Sequence, residues 1–144
     1  MAYTTGVFLN QTKVKLGTLD ISDHVKSATL TQAYDSLEIT SMGDTSHKYT
    51  GGLQNGTLDL EFYSDWGSTQ VSAALQTALN TTLVVKMLPG TDNLTTISAQ
   101  NPLYTFSILV NNLTPIAGAT GEISSSSLSF QLNTTIVQTT TGTW

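Results

Sequence analysis

The sequence contains two histidines, His24 and His47, and each stands close to acidic residues and a serine. A catalytic triad needs a histidine beside a hydroxyl group and an orienting carboxylate, so the residue types for acyl-transfer chemistry are present. They occur at no recognised spacing, and 26 threonines and 15 serines among 144 residues make such neighbours common by chance. We therefore predict that the protein is not an enzyme and that both histidines lie at the surface or in loops.

Metal and cofactor chemistry is not indicated either. The nearest group of potential metal ligands is Asp20, Asp23 and His24, which we interpret as a charged turn that enters a strand, because a metal site needs several converging ligands. The chain has no cysteine, which removes disulfides, thiolate metal sites and iron–sulfur clusters. It also has no GxGxxG, P-loop or HExxH motif, and we expect no cofactor.

The charge balance argues against binding to nucleic acid or to an anionic membrane. Ten acids stand against five lysines, no arginine is present, and the formal net charge is −5. Proteins that clamp nucleic acid neutralise phosphates with clustered lysine and arginine, whereas the five lysines are scattered along this sequence. The chain also lacks an apolar stretch near 18 residues and a signal-like start. We expect a soluble protein without a membrane partner.

Strands are predicted from residues that alternate between apolar and polar types. In Thr57–Tyr63 (TLDLEFY) the apolar residues alternate with Asp59 and Glu61, so one face is buried and the other is acidic. Ser124–Leu132 (SSSSLSFQL) alternates in the same way. Further strands are expected in Thr82–Leu88, in Leu103–Val110 and near residues 112–116.

One short helix interrupts this pattern. Apolar residues of Ser68–Leu79 recur at i, i+3, i+4, i+7 and i+8, which is the stripe of an amphipathic helix. Ser68 is its expected cap, and Asn80 is expected to end it. Seven to nine strands with mostly short connections predict a mainly β fold. We expect an antiparallel β-sandwich or a partly closed barrel with one short α-helix.

The region from Val25 to Gly56 needs a more detailed interpretation. Val25–Thr40 fits two strands with a jog near Tyr34 and Asp35, and residues 41–56 contain four glycines with almost no periodicity. We interpret residues 41–56 as a long loop, a kind of segment that is usually functional or disordered. Across this loop, the strand that ends at Thr40 is expected to pair with Thr57–Tyr63.

The order of several short motifs resembles a known family. DISDHVKSATL (20–30), DSLEITSMGDTSHKYT (35–50) and GGLQNGTLDLEFYSD (51–65) follow one another along the chain. A helix and a V-x-M-x-P strand at Val85 come next, and NPLYTFSILVNNLTPIAGA ends at Ala119. Over residues 18–132 this order resembles the major tail tube proteins of long-tailed (siphovirus-like) bacteriophages.

The resemblance implies a structural virion protein. Members of this family form hexameric rings whose inner sheets join into one continuous barrel, and the stacked rings make the tube through which viral DNA passes. Residues 1–144 would then be one tail-tube domain, assembled in the host cytoplasm and located in the phage tail. Its implied partners are further copies of itself, the tape-measure protein and other tail proteins. Viral DNA would pass through the lumen without specific binding.

The resemblance also suggests roles for particular residues. DNA must slide along the lumen without sticking, and carboxylates on the wall would repel its phosphates. The expected lumen-facing residues are Asp35, Glu38, Asp59 and Glu61. The loop 41–56 is expected to reach an adjoining ring, and residues 1–12 and 134–144 are expected to be arms. The inter-ring residues within the loop are Met42, Asp44, His47, Tyr49 and Leu53.

Two other functions are compatible with the sequence. A tail terminator or completion protein, or a capsid decoration protein, could have the same fold. A carbohydrate-binding β-sandwich is the second alternative, with Tyr63, Trp66 and Tyr104 as a platform on which sugars would stack.

Overall fold

The computed structural model describes residues 12–90 and 96–144, so the predicted N-terminal arm (1–12) lies outside the described residues except for Thr12. Ten strands and one helix occur in these two ranges. The elements are β1 (Lys13–Leu16), β2 (Leu19–Asp20), β3 (Val25–Thr31), β4 (Tyr34–Glu38), β5 (Tyr49–Gln54), β6 (Thr57–Tyr63), α1 (Val71–Ala78), β7 (Thr81–Leu88), β8 (Leu103–Val110), β9 (Ser125–Gln131) and β10 (Val137–Thr139).

The strands form three antiparallel sheets. A five-stranded sheet has the order β10-β8-β7-β1-β2, a three-stranded sheet has the order β3-β6-β9, and β4 and β5 form a separate pair. The two larger sheets pack face to face and are linked by a bridge between Ile108 and Leu132. The prediction of a mainly β, antiparallel sandwich with one short helix is confirmed. Of the two predicted architectures, the described residues adopt the sandwich, and their sheets do not close into a barrel.

The core lies between the two larger sheets, and strand alternation produces it. Leu58, Leu60 and Phe62 of β6 point inward and are almost completely buried, as are Leu128 and Phe130 of the adjacent β9. The five-stranded sheet supplies the opposite half of the same cluster: Val14, Leu16, Val85, Met87, Phe106, Ile108 and Val110. Successive residues of a strand point to opposite faces, so the polar residues between these core residues face solvent.

The helix is shorter than predicted at its start. Thr69 has a φ of 63°, which lies in the left-handed region, so the chain becomes helical only at Val71. The residue before the helix is Gln70 and its side chain makes no capping hydrogen bond, so the prediction that Ser68 caps the helix is wrong. The helix ends at Ala78 with Leu79 as its C-cap, at a ψ of 132°, and Asn80, which was predicted to end the helix, follows with a φ of 65° that asparagine tolerates.

Three predictions for the loops and pairings are wrong. Residues 49–54 are not loop but form β5, which pairs with β4. Strand β6 pairs with β3 and β9, so it is not the partner of the segment that ends at Thr40. Near residues 112–116 there is no strand within the described chain; instead, the side chain of Asn112 donates a hydrogen bond to the Ser129 carbonyl over 3.0 Å.

The segment 134–144, predicted to be an arm, lies along the five-stranded sheet of its own subunit. Its residues Val137–Thr139 form the edge strand β10 against β8. Trp144 is half-buried against a small apolar cluster of Leu88, Ile97 and Leu103. This segment therefore contributes both a strand and a packed aromatic ring to the sandwich.

Candidate assembly surfaces

A two-stranded extension projects from the sandwich. We call it the projecting hairpin; it comprises β4, the connecting residues 39–48 and β5, that is residues 34–54. All of its residues from 34 to 51 are exposed except Asp44, so both faces of the pair meet solvent. A hairpin with no buried face is marginally stable in water, so this extension depends on its base and on any surface that covers it.

The projecting hairpin carries large apolar side chains that the described subunit leaves in solvent. Met42 is 103% exposed and Leu53 is 81% exposed, so neither gains stability from burial. Among the described residues, fourteen large hydrophobic side chains are exposed and six of them lie on this hairpin. The six are Tyr34, Leu37, Ile39, Met42, Tyr49 and Leu53. A grouping of this kind marks an interaction surface.

The sequence prediction identified half of these apolar residues. Met42, Tyr49 and Leu53 were expected to be contact residues, and all three are exposed on the hairpin. Leu37 and Ile39 were interpreted as ordinary strand residues, because one apolar register of a strand usually faces a core. The alternation of residue types does not show whether a strand packs against a hydrophobic core or is exposed on both faces, as β4 is.

Asp44 and His47, also expected at an inter-ring contact, hold the connecting residues together. Asp44 accepts hydrogen bonds from the backbone N–H and hydroxyl of Ser41 and pairs with Lys48, and these contacts, Lys48 foremost, lower its pKa. His47 lies 2.6 Å from a carboxylate oxygen of Glu38, and this contact, more than the Thr40 hydroxyl, lowers the pKa of Glu38. These side chains shape the tip.

The base of the projecting hairpin is held firmly to the sandwich. The side-chain oxygen of Gln54 accepts a 3.0 Å hydrogen bond from the backbone N–H of Ile136. The N–H of Asn55 donates to the carbonyl of Ala33 over 2.7 Å. A Cβ atom on Gly56 would lie 2.7 Å from the carbonyl oxygen of Thr31, so only glycine fits there. These contacts fix the base of the hairpin.

A second surface is the outer face of the three-stranded sheet, which we call the hydroxyl face. Asp59 and Glu61 stand in its middle strand, as predicted. Glu61 pairs with Lys26 at 3.0 Å, whereas the structure gives Asp59 no ion-pair partner among the described residues. The strand register places the following side chains on this face: Ser27, Thr29, Thr31, Thr57, Asp59, Glu61, Tyr63, Ser125, Ser127, Ser129 and Gln131.

The four predicted lumen carboxylates do not share one surface. Asp59 and Glu61 lie on the hydroxyl face, but Asp35 and Glu38 lie on the projecting hairpin. The β4–β5 register is irregular between Tyr34 and Ser36, and there the Asp35 side chain lies next to Gly52. Within the described subunit, the hydroxyl face therefore has two of the four predicted lumen carboxylates, among a row of hydroxyl groups.

A third surface was missed by the sequence analysis. Pairing brings Lys15 of β1 directly opposite Lys86 of β7 on the outer face of the five-stranded sheet, with Lys13 on the same face. Lysines that are scattered in the sequence are therefore clustered in the fold. We call this surface the basic face and define it by Lys13, Lys15, Val84, Lys86, Leu109 and Val137.

Two of the three aromatic residues of the sugar-binding alternative, Tyr63 and Tyr104, lie on different sheets. Tyr63 lies on the hydroxyl face of the three-stranded sheet, with Lys26 over its ring at 5.4 Å. Tyr104 belongs to β8 of the other sheet, is half-buried against the core, and accepts a 3.1 Å hydrogen bond from Gln138. A sugar ring stacked on one of these tyrosines could not reach the other.

His24 is held between two carboxylates. Its Nδ1 lies 2.8 Å from Asp23 and its Nε2 lies 2.9 Å from Asp65, and the hydrogen bond with Asp65 is the main cause of its raised pKa. The Asp65 carboxylate also accepts the backbone N–H of Gly67. No hydroxyl group hydrogen-bonds to either ring nitrogen in the described part of the chain. Through its two carboxylate partners, His24 connects the turn before β3 to the loop before α1.

The comparison with known proteins gives no family. No family model matches the chain, and no curated protein matches it. In residues 12–90 and 96–144, the structure contains no helix with the length and apolar character needed to cross a membrane.

Proposed function

We propose that this protein is a tail tube subunit of a long-tailed bacteriophage, a structural virion protein that assembles in the host cytoplasm. In this proposal the subunits form hexameric rings, and the rings stack into the channel that conducts viral DNA. The observation that carries the proposal is the projecting hairpin, since six large apolar side chains are exposed on a segment anchored only at its base. Such a segment is explained by a second copy that covers it.

Ring closure would use the edges of the three-stranded sheet. On the side away from β6, neither β3 nor β9 has a strand partner within the described subunit, although the Asn112 side chain bonds to the Ser129 carbonyl of β9 and Leu132 forms an isolated bridge with Ile108. Unpaired edges are templates for the strands of other chains. Joining β3 of one copy to β9 of the next produces a head-to-tail contact, which closes into a ring when its rotation divides a full turn.

The hydroxyl face would then line the channel. Serine and threonine hydroxyls cover most of this face, and Asp59 adds a negative charge without an ion-pair partner among the described residues. A DNA-conducting wall must not hold phosphates, and six copies of a chain with net charge −5 give a strongly anionic ring. The tape-measure protein would occupy the same channel before the DNA does, and contacts with other tail proteins would lie at the ends of the tube.

Electron microscopy of negatively stained, purified protein tests this proposal, together with sedimentation velocity. We expect hexameric rings and long tubes whose abundance rises with protein concentration. Isolated rings that never stack would instead indicate a terminator, completion or decoration protein. A monomer at high concentration, with tryptophan fluorescence that responds to glycans, would replace the proposal with the carbohydrate-binding function.

A further inference from the structure

We propose that the basic face is the docking surface for the projecting hairpin of a second copy of this chain. This inference rests on the proposed function, because it names the surface that receives the hairpin when subunits assemble. The basic face and the hairpin lie on different parts of the subunit, so the contact is head to tail. A head-to-tail contact that does not close produces an open-ended stack.

The first argument is charge complementarity. The basic face has three lysines, none of which forms an ion pair among the described residues. Asp20 of β2 is the cross-strand partner of Lys15. The projecting hairpin has three carboxylates, at Asp35, Glu38 and Asp44, against the single lysine Lys48. The two surfaces therefore have opposite net charges within a chain that is acidic overall. Complementary charges orient partners and reject wrong pairings.

The second argument is the repulsion between the ammonium groups of the basic face, which Asp20, opposite Lys15 on β2, offsets only in part. Lys15 and Lys86 are direct cross-strand neighbours, and like charges in this position destabilise a sheet. Lys13 and Lys15 lie over the ring of Trp144 at 5.8 and 5.5 Å, which holds both ammonium groups on the same side. A partner that supplies a carboxylate would relieve this repulsion, and Asp35 of the hairpin has no ion-pair partner among the described residues, whereas Glu38 contacts His47 and Asp44 pairs with Lys48.

The third argument is apolar complementarity. Val84, Leu109 and Val137 of the basic face are 46%, 37% and 53% exposed, although they sit on the middle and edge strands of a sheet. The hairpin exposes Leu37 and Leu53 among its six apolar residues. Two twisted β surfaces pack well face to face, and this contact would bury aliphatic groups on both sides.

The position of the hairpin base agrees with this assignment. Gln54 is bonded to Ile136, the residue that precedes β10, and β10 is the edge strand of the sheet that carries the basic face. The hairpin therefore continues β3 and β6 of the three-stranded sheet, and this bond ties its base to the segment that leads into the edge strand of the five-stranded sheet. A neighbouring copy displaced along the hairpin direction would receive it on the equivalent sheet.

Engineered cysteines test the contact directly, because the natural chain has none. Leu37→Cys combined with Val84→Cys should give a ladder of disulfide-linked oligomers under mild oxidation on a non-reducing gel. Leu37→Cys combined with Thr29→Cys, which places the second thiol on the hydroxyl face, is the matched control and should give no ladder. Tubes that form without a ladder from the first pair, or with equal ladders from both pairs, would overturn the docking surface and leave the proposed function standing.

A charge exchange provides the second measurement. Asp35→Lys alone and the double change Lys15→Glu with Lys86→Glu should each raise the protein concentration needed for assembly about tenfold. All three changes together should restore assembly to within about twofold of the parent chain. Absence of rescue argues against the contact, while a parent protein that forms neither rings nor tubes would refute the proposed function and, with it, this inference.

Discussion

The Nε2 atom of His24 lies 2.9 Å from Oδ2 of Asp65, and this contact joins the turn before β3 to the loop before α1. Asp65 also accepts the N–H of Gly67, while its backbone carbonyl accepts the N–H of Ser72 in the first turn of the helix. One imidazole therefore links the edge of the three-stranded sheet to the start of the helix. The link depends on the charge of both partners, so its strength depends on pH.

The first prediction concerns this pH dependence. The pKa of His24 is raised above 6.5, chiefly by Asp65, so its stabilising effect is complete below pH 6.5 and is lost as the pH rises through the folded-state pKa. The pKa of Asp65 is lowered below 3.8, mainly by the Gly67 N–H and then by His24, so its contribution is complete above 3.8 and is lost as the pH falls through the folded-state value. The ion pair between His24 and Asp65 therefore stabilises the fold most between pH 3.8 and pH 6.5.

Thermal denaturation of the His24→Asn variant checks this expectation. At pH 5.5 its Tm should lie roughly 2 °C below that of the parent chain, and the difference should shrink at pH 9. Thr18→Asn, at an exposed position without a titratable group, is the control and should show the same small difference at both pH values. An equal loss of Tm for His24→Asn at both values would show that the ionic contact contributes nothing.

The second prediction concerns the glycine at the hairpin base. Gly56→Ala places a Cβ atom 2.7 Å from the Thr31 carbonyl oxygen and 3.0 Å from Leu132, so the backbone must shift. We expect a loss of about 1–3 kcal/mol in the free energy of unfolding, measured by urea denaturation. Gly51→Ala, where nothing lies within 4 Å of the new atom, is the matched control and should change stability by less than about 0.5 kcal/mol. Equal stabilities of the two variants would contradict the described packing.

The third prediction concerns the length of the projecting hairpin. Replacing residues 37–50 by Asn-Gly joins Ser36 to Gly51, a directly paired position, through the turn that two-residue hairpins favour. The bonds at the base remain, including that of Gln54 to Ile136. We expect folded subunits that form rings but no tubes, as seen by electron microscopy. Thr45→Ser, which keeps the full hairpin, should form tubes like the parent chain; tubes of normal length from the shortened variant would refute a stacking role.

The fourth prediction concerns the hydroxyl face. Asp59→Lys combined with Glu61→Lys should leave the subunit folded, because both side chains point away from the core. If this face lines the channel, the added charges will attract phosphates and slow the passage of DNA, which phage infectivity reports. Glu122→Lys, at an exposed position away from the sheets, is the control for charge change alone. Unchanged infectivity with the double replacement would show that the face does not line the channel.

The sandwich was predictable where burial imposes a pattern on the residues. In β6 and β9 every second residue enters the core, so alternation identified both strands and their inward faces. The same rule failed for β5, which includes Gly51 and Gly52 and has no core beneath it. A strand with two exposed faces need have no alternation of apolar and polar residues. For this reason β5, which forms half of the projecting hairpin, was predicted to be loop.

The surfaces depend on pairings that lie far apart in the sequence. Lys15 and Lys86 become neighbours only because β1 and β7 pair, and no local pattern indicates that pairing. The separation of Asp35 from Asp59 has the same origin, since β4 pairs with β5 and not with β6. Composition indicated an acidic chain, but it could not show that the few cations occupy one face.

The anchoring of the hairpin base has a consequence for the speed of assembly. Gln54 bonds the hairpin base to Ile136, and Asn55 bonds to Ala33 across the base, so the base is ordered when the subunit folds, before any neighbour arrives. Part of the hairpin's conformational entropy is thus lost in advance, and docking has less further ordering to oppose it. A preorganised connector of this kind favours rapid and uniform addition of subunits over slow coupled folding.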